Sequence, residues 1–315
     1  MEIMNRFQRS WQLFKSSFSV MRRHPALMLF PVVTLALMLF IAVLFLAPVA
    51  LQPTGHGYTS GAHWKAVADS MFIVDSTPHQ AHHSRQDMSV RPAGMVYFAV
   101  MYFVSMFFAT FFNVAFYSQI LRALKGEEPS IGAGLLFACT KWKSIVLWTL
   151  FAGLIGYIIQ ALERKFGFVG QWILKMIGTV WSIACVFVIP VIVMEEETNP
   201  FAVLKKSATT LKQTWGESLI GYAGVSLASG LVTVGSLVFL GAGLALGWLV
   251  HSVWLMVAFG LGWLLAMICV GYITSIASQI FRCALYLYAT EGNLPQPFTG
   301  EMMTMAWKMK KPAQS

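Results

Sequence analysis

Charged residues are scarce in this sequence, and neither paired cysteines nor a catalytic grouping can be found in it. Only 11% of the 315 residues are charged and 57% are hydrophobic, whereas a soluble domain carries about 25% charged residues. The four cysteines lie in or beside apolar segments without short metal-ligand spacing, which argues against a disulfide or zinc framework. The composition indicates an integral membrane protein. The formal charge of +9 is too small and too dispersed for a nucleic-acid interface.

The polar segments also lack the residues that enzymes need. No Ser/His/Asp triad, carboxylate pair or phosphate-binding loop can be assembled from them, so we expect no enzyme. A non-enzymatic scaffold or oligomeric assembly in the membrane is the favoured function. A channel or transporter for a small solute or lipid is the alternative.

Long apolar runs predict an all-α polytopic membrane protein with about six transmembrane helices. The first run is longer than a signal peptide needs and follows an amphipathic helix, which favours a retained span over cleavage. The last two runs leave room for a re-entrant element. We expect one membrane domain over 1–290 and a cytoplasmic tail over 291–315. The predicted spans are about 26–51, 94–121, 144–160, 172–194, 218–250 and 253–281.

Three shorter amphipathic segments precede spans, at 4–23, about 130–142 and 200–215. In the last of these, Asn199 suits the N-cap and Pro200 the first helical position. Its apolar side is predicted to hold Phe201, Leu204, Ala208, Leu211 and Trp215. Such helices are expected to lie in the headgroup layer and contact anionic lipids. The residues predicted to bind the membrane surface are Trp11, Lys15, Lys205, Lys206, Lys212 and Trp215.

Two pairs of similar segments indicate an internal repeat. Ser-Gln-Ile-Leu-Arg at 118–122 matches Ser-Gln-Ile-Phe-Arg at 278–282, and residues 9–19 align with 206–216. The equivalent placement of these pairs predicts three copies of an amphipathic helix followed by a hairpin. The repeat units are about 1–125, 126–197 and 198–290.

Basic residues set the expected orientation. Most lysines and arginines fall on the side that holds both termini and the three amphipathic segments. The positive-inside rule therefore places that side in the cytoplasm and the polar loop 52–93 outside.

Histidines are concentrated in the outer loop. His79, His82 and His83 have a spacing that can supply imidazoles to a divalent transition metal. Because glycines and prolines interrupt the loop, the favoured interpretation is a loop without fixed ligand geometry, and no cofactor is expected.

Polar residues inside the spans are the other site candidates. Asn113, Gln119, Gln160 and Gln279 are costly against lipid and should face protein or water. Hydrogen bonding between helices is the favoured role, and a solute pathway is the alternative. Pairs of small residues four apart allow close helix contact within the chain or between the subunits of a homo-oligomer.

Several motifs stand out along the chain: Trp11-x-x-Phe14-Lys15, Phe111-Phe112-Asn113, Ala161-Leu162-Glu163-Arg164, 188–195 and 202–217. Together they resemble an uncharacterised bacterial family of polytopic membrane proteins. The helix-then-hairpin unit is more loosely similar to the membrane domain beside some bacterial glycerophosphoryl diester phosphodiesterases, although no phosphodiesterase domain is present. The resemblance implies the bacterial inner membrane and supplies no activity.

Overall fold

The computed structural model describes residues 6–74, 88–166, 168–215, 235–292 and 298, which form helices joined by short connections. The helices in chain order are α1 (Arg6–Arg23), α2 (Ala26–Ala50), α3 (Gly61–Met71), α4 (Pro92–Leu124), α5 (Ile131–Thr140), α6 (Trp142–Lys165), α7 (Phe168–Ala184), α8 (Val188–Met194), α9 (Pro200–Trp215), α10 (Gly235–Leu249) and α11 (Val253–Glu291). Two short strands, β1 (Phe72–Val74) and β2 (Met88–Val90), lie between α3 and α4.

Within the described ranges, five helical stretches are long and apolar enough to cross a membrane. This confirms the prediction of a multi-pass helical membrane protein. The predicted span at 218–250 is represented by α10 alone, because residues 216–234 lie outside the described part. The count of six spans therefore stays a prediction. The five stretches are Ala26–Ala50, Pro92–Leu124, Trp142–Glu163, Gly170–Met194 and Val253–Glu291.

Helix α4 is the centre of the bundle. It packs against α2, α5, α6, α8 and α11, and its second half from Val114 to Leu124 is almost entirely buried. Phe30 of α2 stacks on Phe116 of α4 with ring centroids 5.3 Å apart. The hydrophobic core therefore lies around the C-terminal half of α4.

Helix α11 has two halves with different environments. Its C-terminal half, from Ile276 to Leu287, is largely buried against α1, α4 and α9. Its N-terminal half is exposed, and Trp254 is 85% exposed. The helix ends at Glu291 rather than near 281 as predicted, because the apolar side chains from Cys283 to Leu287 pack in the core and continue the helix. Gly292, with φ of 69°, then terminates it in the left-handed conformation.

The loop between α2 and α4 contains structure that the sequence only partly predicts. Helix α3 lies within the predicted polar loop, and β1 pairs with β2 in antiparallel fashion, which the sequence does not predict. Three-residue strands are too short to show an alternating pattern. His63 on α3 is fully buried, with Nδ1 2.6 Å from Thr54 Oγ1 and Nε2 2.9 Å from the Ala50 carbonyl.

The stretch predicted as a fourth span is broken in two. The break lies at residues 185–187, between α7 and α8, shortly before Pro190. Proline removes one backbone donor, and its ring clashes with the carbonyl four residues earlier. The distortion therefore falls N-terminal to the proline.

Candidate functional site

A polar cleft of about 330 Å³ lies between α4, α8 and α11. Helix α4 contributes two residues one turn apart, α8 contributes one, and α11 contributes four at positions i, i+3, i+4 and i+7. This spacing places the four side chains of α11 on one helical face. The lining residues are Asn113, Tyr117, Ile189, Ser275, Ser278, Gln279 and Arg282.

The charge in the cleft is positive. Arg282 is half-buried, and its guanidinium interacts with the hydroxyl of the buried Tyr117. The carboxylates in the described part of the chain pair with other residues or lie beyond ion-pair distance of Arg282. Ser275 and Ser278 add hydroxyl groups to the same face. The cleft therefore presents one cation and several neutral donors.

One acceptor in the cleft has no donor. The Gln279 Oε1 atom is buried and has no hydrogen-bond partner among the described residues, while its Nε2 lies 3.5 Å from Ser275 Oγ. Asn113 differs, because its Nδ2 donates to the Ala109 carbonyl of its own helix at 2.9 Å. Buried polar atoms normally have partners, so an unpaired one calls for an explanation.

Helix α9 holds α8 in place beside the cleft. Ser207 is fully buried; its Oγ accepts a hydrogen bond from the Phe187 amide at 3.1 Å and donates one to the Ala184 carbonyl at 2.6 Å. These two backbone groups flank the break between α7 and α8, where no helical partner is available. The serine therefore fixes the start of α8 and with it the position of Ile189.

Two of the four predicted intramembrane polar residues come together and two do not. Asn113 and Gln279 line the same cleft although they are far apart in sequence. Gln119 is buried elsewhere, and its Oε1 accepts from the Ser130 amide at 2.9 Å at the start of α5. Gln160 is exposed on α6 and does not line the cleft.

The start of α5 is stabilised by a residue of another helix. The side chain of Ser130, at the N-cap, makes no capping hydrogen bond. The Gln119 Oε1 atom of α4 accepts from the amide of Ser130 itself. A glutamine on a neighbouring helix therefore satisfies one of the free amides at the start of α5, although not the N2 or N3 amide that a serine cap would bind.

The predicted membrane-surface lysines are on the outside of the protein. Lys15, Lys205 and Lys212 are exposed, and the exposed Lys206 lies 3.4 Å from a carboxylate oxygen of Glu195. Trp11 lies within α1, and Trp215 is the last residue of α9.

The predicted apolar side of α9 is partly wrong. The buried face is formed by Val203, Ser207, Thr210 and Leu211, whereas Phe201 is 67% exposed. Two residues of this face, Ser207 and Thr210, carry small hydroxyl side chains. Ser207 packs against the bundle because its hydroxyl group bonds the backbone groups at the break between α7 and α8. Phe201 lies on a neighbouring side and contacts the Phe151 ring at a centroid distance of 4.6 Å.

The candidate metal ligands His79, His82 and His83 lie outside the described residues. In the described part, no group of three or more histidine, cysteine, aspartate or glutamate residues is placed to hold a metal ion. The metal site stays a prediction for the loop.

Sequence reasoning missed Arg282, Tyr117, Ser275 and Ser278 as site residues. In the sequence, Arg282 is one of the many basic residues on the side predicted to be cytoplasmic. The spacing of Ser275, Ser278, Gln279 and Arg282 on one helical face is the signal that identifies them.

Comparison with known proteins assigns the chain to a family. A match to the family of unknown function DUF6159 covers residues 92–295, which is more than half of the chain. The chain belongs to this family. No curated protein and no solved structure matches it.

The DUF6159 match begins with α4 and includes every residue that lines the cleft. It confirms the resemblance to an uncharacterised family. The looser similarity to the membrane domain beside glycerophosphoryl diester phosphodiesterases is not shown.

Proposed function

We propose that this protein is a non-enzymatic integral membrane protein that binds a small polar solute or a lipid headgroup in the cleft, as a transporter or lipid-handling protein. The observation that carries the proposal is that Asn113 and Gln279 line one cleft together with Arg282. Polar side chains at membrane depth are costly unless they face protein, water or a ligand. A volume of about 330 Å³ is at the lower end of the range for small-molecule sites.

The test is native mass spectrometry of the gently extracted protein, with chemical identification of any molecule that it retains. We expect the wild-type protein to carry a bound solute or lipid that Asn113→Leu and Gln279→Leu lose. Gln160→Leu is the matched control, because Gln160 is exposed away from the cleft. Retention of the same molecule by all three variants, or a wild-type protein that carries nothing, would contradict the proposal.

A membrane scaffold or oligomeric assembly is the second candidate function. It is favoured by the exposed apolar surface of α10 and of the N-terminal half of α11, where Trp248 is 71% and Trp254 85% exposed. This surface faces lipid in a monomer and another subunit in an assembly. The same mass spectrum gives the number of subunits, which distinguishes a lipid-facing surface from a subunit interface. A monomer would argue against an assembly.

We further propose that the protein lies in the bacterial inner membrane with both termini in the cytoplasm. The distribution of basic residues supports this orientation. Helices α1 and α5 each precede a long apolar helix, as a threefold repeat requires, and residues 216–234 after α9 lie outside the described part of the chain. Labelling of single cysteines with a membrane-impermeant reagent tests the orientation, and labelling of a residue 15 cysteine from the periplasmic side would contradict it.

The lysine-bearing face of α9 is proposed to contact the anionic cytoplasmic leaflet. Lys205, Lys206 and Lys212 are exposed on one helix, and each basic residue near an anionic surface contributes about 1 kcal/mol. In nanodiscs, anionic lipid should raise the melting temperature of the wild-type protein more than that of a variant with all three lysines changed to glutamine. A Lys65→Gln variant, on the opposite side, should respond like wild type.

A further inference from the structure

Two short segments of nearly identical sequence have different partners. The first motif, 118–122, places Arg122 Nε 2.7 Å from a carboxylate oxygen of Glu127, and its Gln119 Oε1 accepts from the Ser130 amide. In the second motif, 278–282, Arg282 has no carboxylate partner and Gln279 Oε1 has no donor among the described residues. The second motif therefore lacks both partners that the first motif has.

The missing partners specify the chemistry of a ligand. A half-buried guanidinium without a carboxylate is unfavourable, and a bound anion offsets that cost. Arginine holds phosphate well, because its planar fork donates two parallel hydrogen bonds to phosphate oxygens. The hydroxyls of Tyr117, Ser275 and Ser278 line the same space and can donate to further oxygens.

The unpaired glutamine oxygen adds a second requirement. A phosphate offers only acceptors at its ionised oxygens, so it cannot satisfy Gln279 Oε1. This oxygen is buried, so the Gln279 side chain must turn toward the cleft before a hydroxyl or ammonium group on the same ligand can donate to it. Because Gln279 and Arg282 lie almost one turn apart on α11, both groups of one small ligand fall within reach.

We propose that the cleft binds a phosphate ester that also carries a hydroxyl or an amine, with the phosphate on Arg282 and the donor group on Gln279. Phosphoglycerol and phosphoethanolamine groups have this chemistry, either as free esters or as phospholipid headgroups. The inference rests on the proposed function, since it names the ligand class of the same cleft.

The test uses the full chain, purified and depleted of bound lipid by detergent exchange. Isothermal titration with glycerol 3-phosphate and with phosphoethanolamine measures the free esters. Native mass spectrometry with phosphatidylglycerol, phosphatidylethanolamine and diacylglycerol measures the lipids. Saturable binding of the free esters identifies a soluble ligand, and binding of the two phospholipids alone identifies a headgroup. Diacylglycerol, which lacks phosphate, should not bind in the cleft.

Arg282→Gln should weaken binding of the phosphate ligand about tenfold or more, and Arg282→Lys should weaken it less because the charge is kept. Arg122→Gln, the equivalent change in the first motif, should leave the affinity unchanged. If Arg282→Gln fails to fold, Asn113→Asp is the second variant, because it adds a negative charge to the cleft and should also weaken binding.

The outcomes separate this inference from the proposed function. One outcome would overturn the phosphate assignment but leave the cleft as a binding site. In that outcome, the Asn113→Leu variant loses the ligand, while the Arg282→Gln variant binds it as tightly as the wild-type protein. Equal binding of diacylglycerol would also overturn it. A wild-type protein that binds none of the probes and retains no other molecule would overturn both.

Discussion

Two motifs share four of five residues, but their polar side chains have different surroundings. The first motif lies at 118–122 in α4 and the second at 278–282 in α11. The glutamine of the first motif is 1% exposed and accepts from the Ser130 amide at the start of α5, and its arginine pairs with Glu127. The glutamine and arginine of the second motif line a cleft. The same polar residues are paired within the protein at one place and line a cleft at the other, according to which helix packs against them.

The helix that covers the first motif can approach it because of one glycine. A Cβ atom added to Gly134 of α5 would lie 2.9 Å from the Ala115 carbonyl oxygen and 2.9 Å from the Phe30 ring. It would also lie 3.0 Å from Cγ of Gln119. Small residues at helix contacts permit such close approach in membrane proteins. Beside the second motif, the short helix α8 contributes Ile189 to the lining of a cleft that Ser275, Ser278, Gln279 and Arg282 of α11 also line.

The largest loss of stability is expected when the close contact between α5 and the first motif is broken. Gly134→Ala should lower the free energy of unfolding by about 2–3 kcal/mol, because the Ala115 backbone cannot move aside easily. Unfolding by sodium dodecyl sulfate, followed by tryptophan fluorescence, measures the change. Gly132→Ala is the matched control, since nothing lies within 4 Å of its added Cβ, and it should gain up to about 1 kcal/mol from helix propensity. Equal losses in the two variants would show that close approach at Gly134 is not the reason.

A somewhat smaller loss of stability is expected when the hydrogen bonds that hold the start of α8 beside the second motif are removed. Ser207→Ala removes the acceptor of the buried Phe187 amide and the donor to Ala184, so we expect a loss of about 2 kcal/mol. The variant should also bind the cleft ligand more weakly, since Ile189 is less firmly placed. Thr209→Ala, on the exposed side of α9, should change neither property. A Ser207→Ala protein with wild-type stability would argue against its role at the break.

The positions of most long helices followed from the sequence, because apolar runs of about 20 residues have few alternatives in a membrane protein. Residues 26–50 and 92–124 were predicted within a few residues. The end of α11 was not, since its apolar C-terminal residues pack against protein rather than lipid. Hydropathy does not distinguish these two environments.

The cleft was predicted only in part, for a different physical reason. Asn113 and Gln279 are recognised individually because amides are costly in lipid. That they line the same cleft depends on how α4 packs against α11. No local sequence pattern predicts this long-range contact. Gln119 and Gln160 had the same local description, and only the structure separates the buried residue from the exposed one.

The third prediction compares the two glutamines directly. Gln119→Leu leaves the Ser130 amide without its acceptor, and we expect a loss of about 1–2 kcal/mol in unfolding free energy. Gln279→Leu removes an oxygen that has no donor, so the stability of lipid-depleted protein should change by less than about 0.5 kcal/mol. Both variants are measured by the same fluorescence-detected unfolding. If Gln279→Leu were the more destabilising, the second motif would have a structural partner outside the described residues.

The smallest effect is expected from the carboxylate of the first motif. Arg122 and Glu127 are 44% and 54% exposed, and exposed ion pairs contribute about 0.2–1 kcal/mol. Glu127→Gln should therefore lower the unfolding free energy by less than about 1 kcal/mol. This change also leaves Arg122 without a carboxylate, as Arg282 is. We still expect no phosphate ester binding at Arg122 in isothermal titration, because α5 covers Gln119 and the freed guanidinium is hydrated. Saturable binding created by Glu127→Gln would show that an unpaired arginine is sufficient and that the cleft around Arg282 adds little.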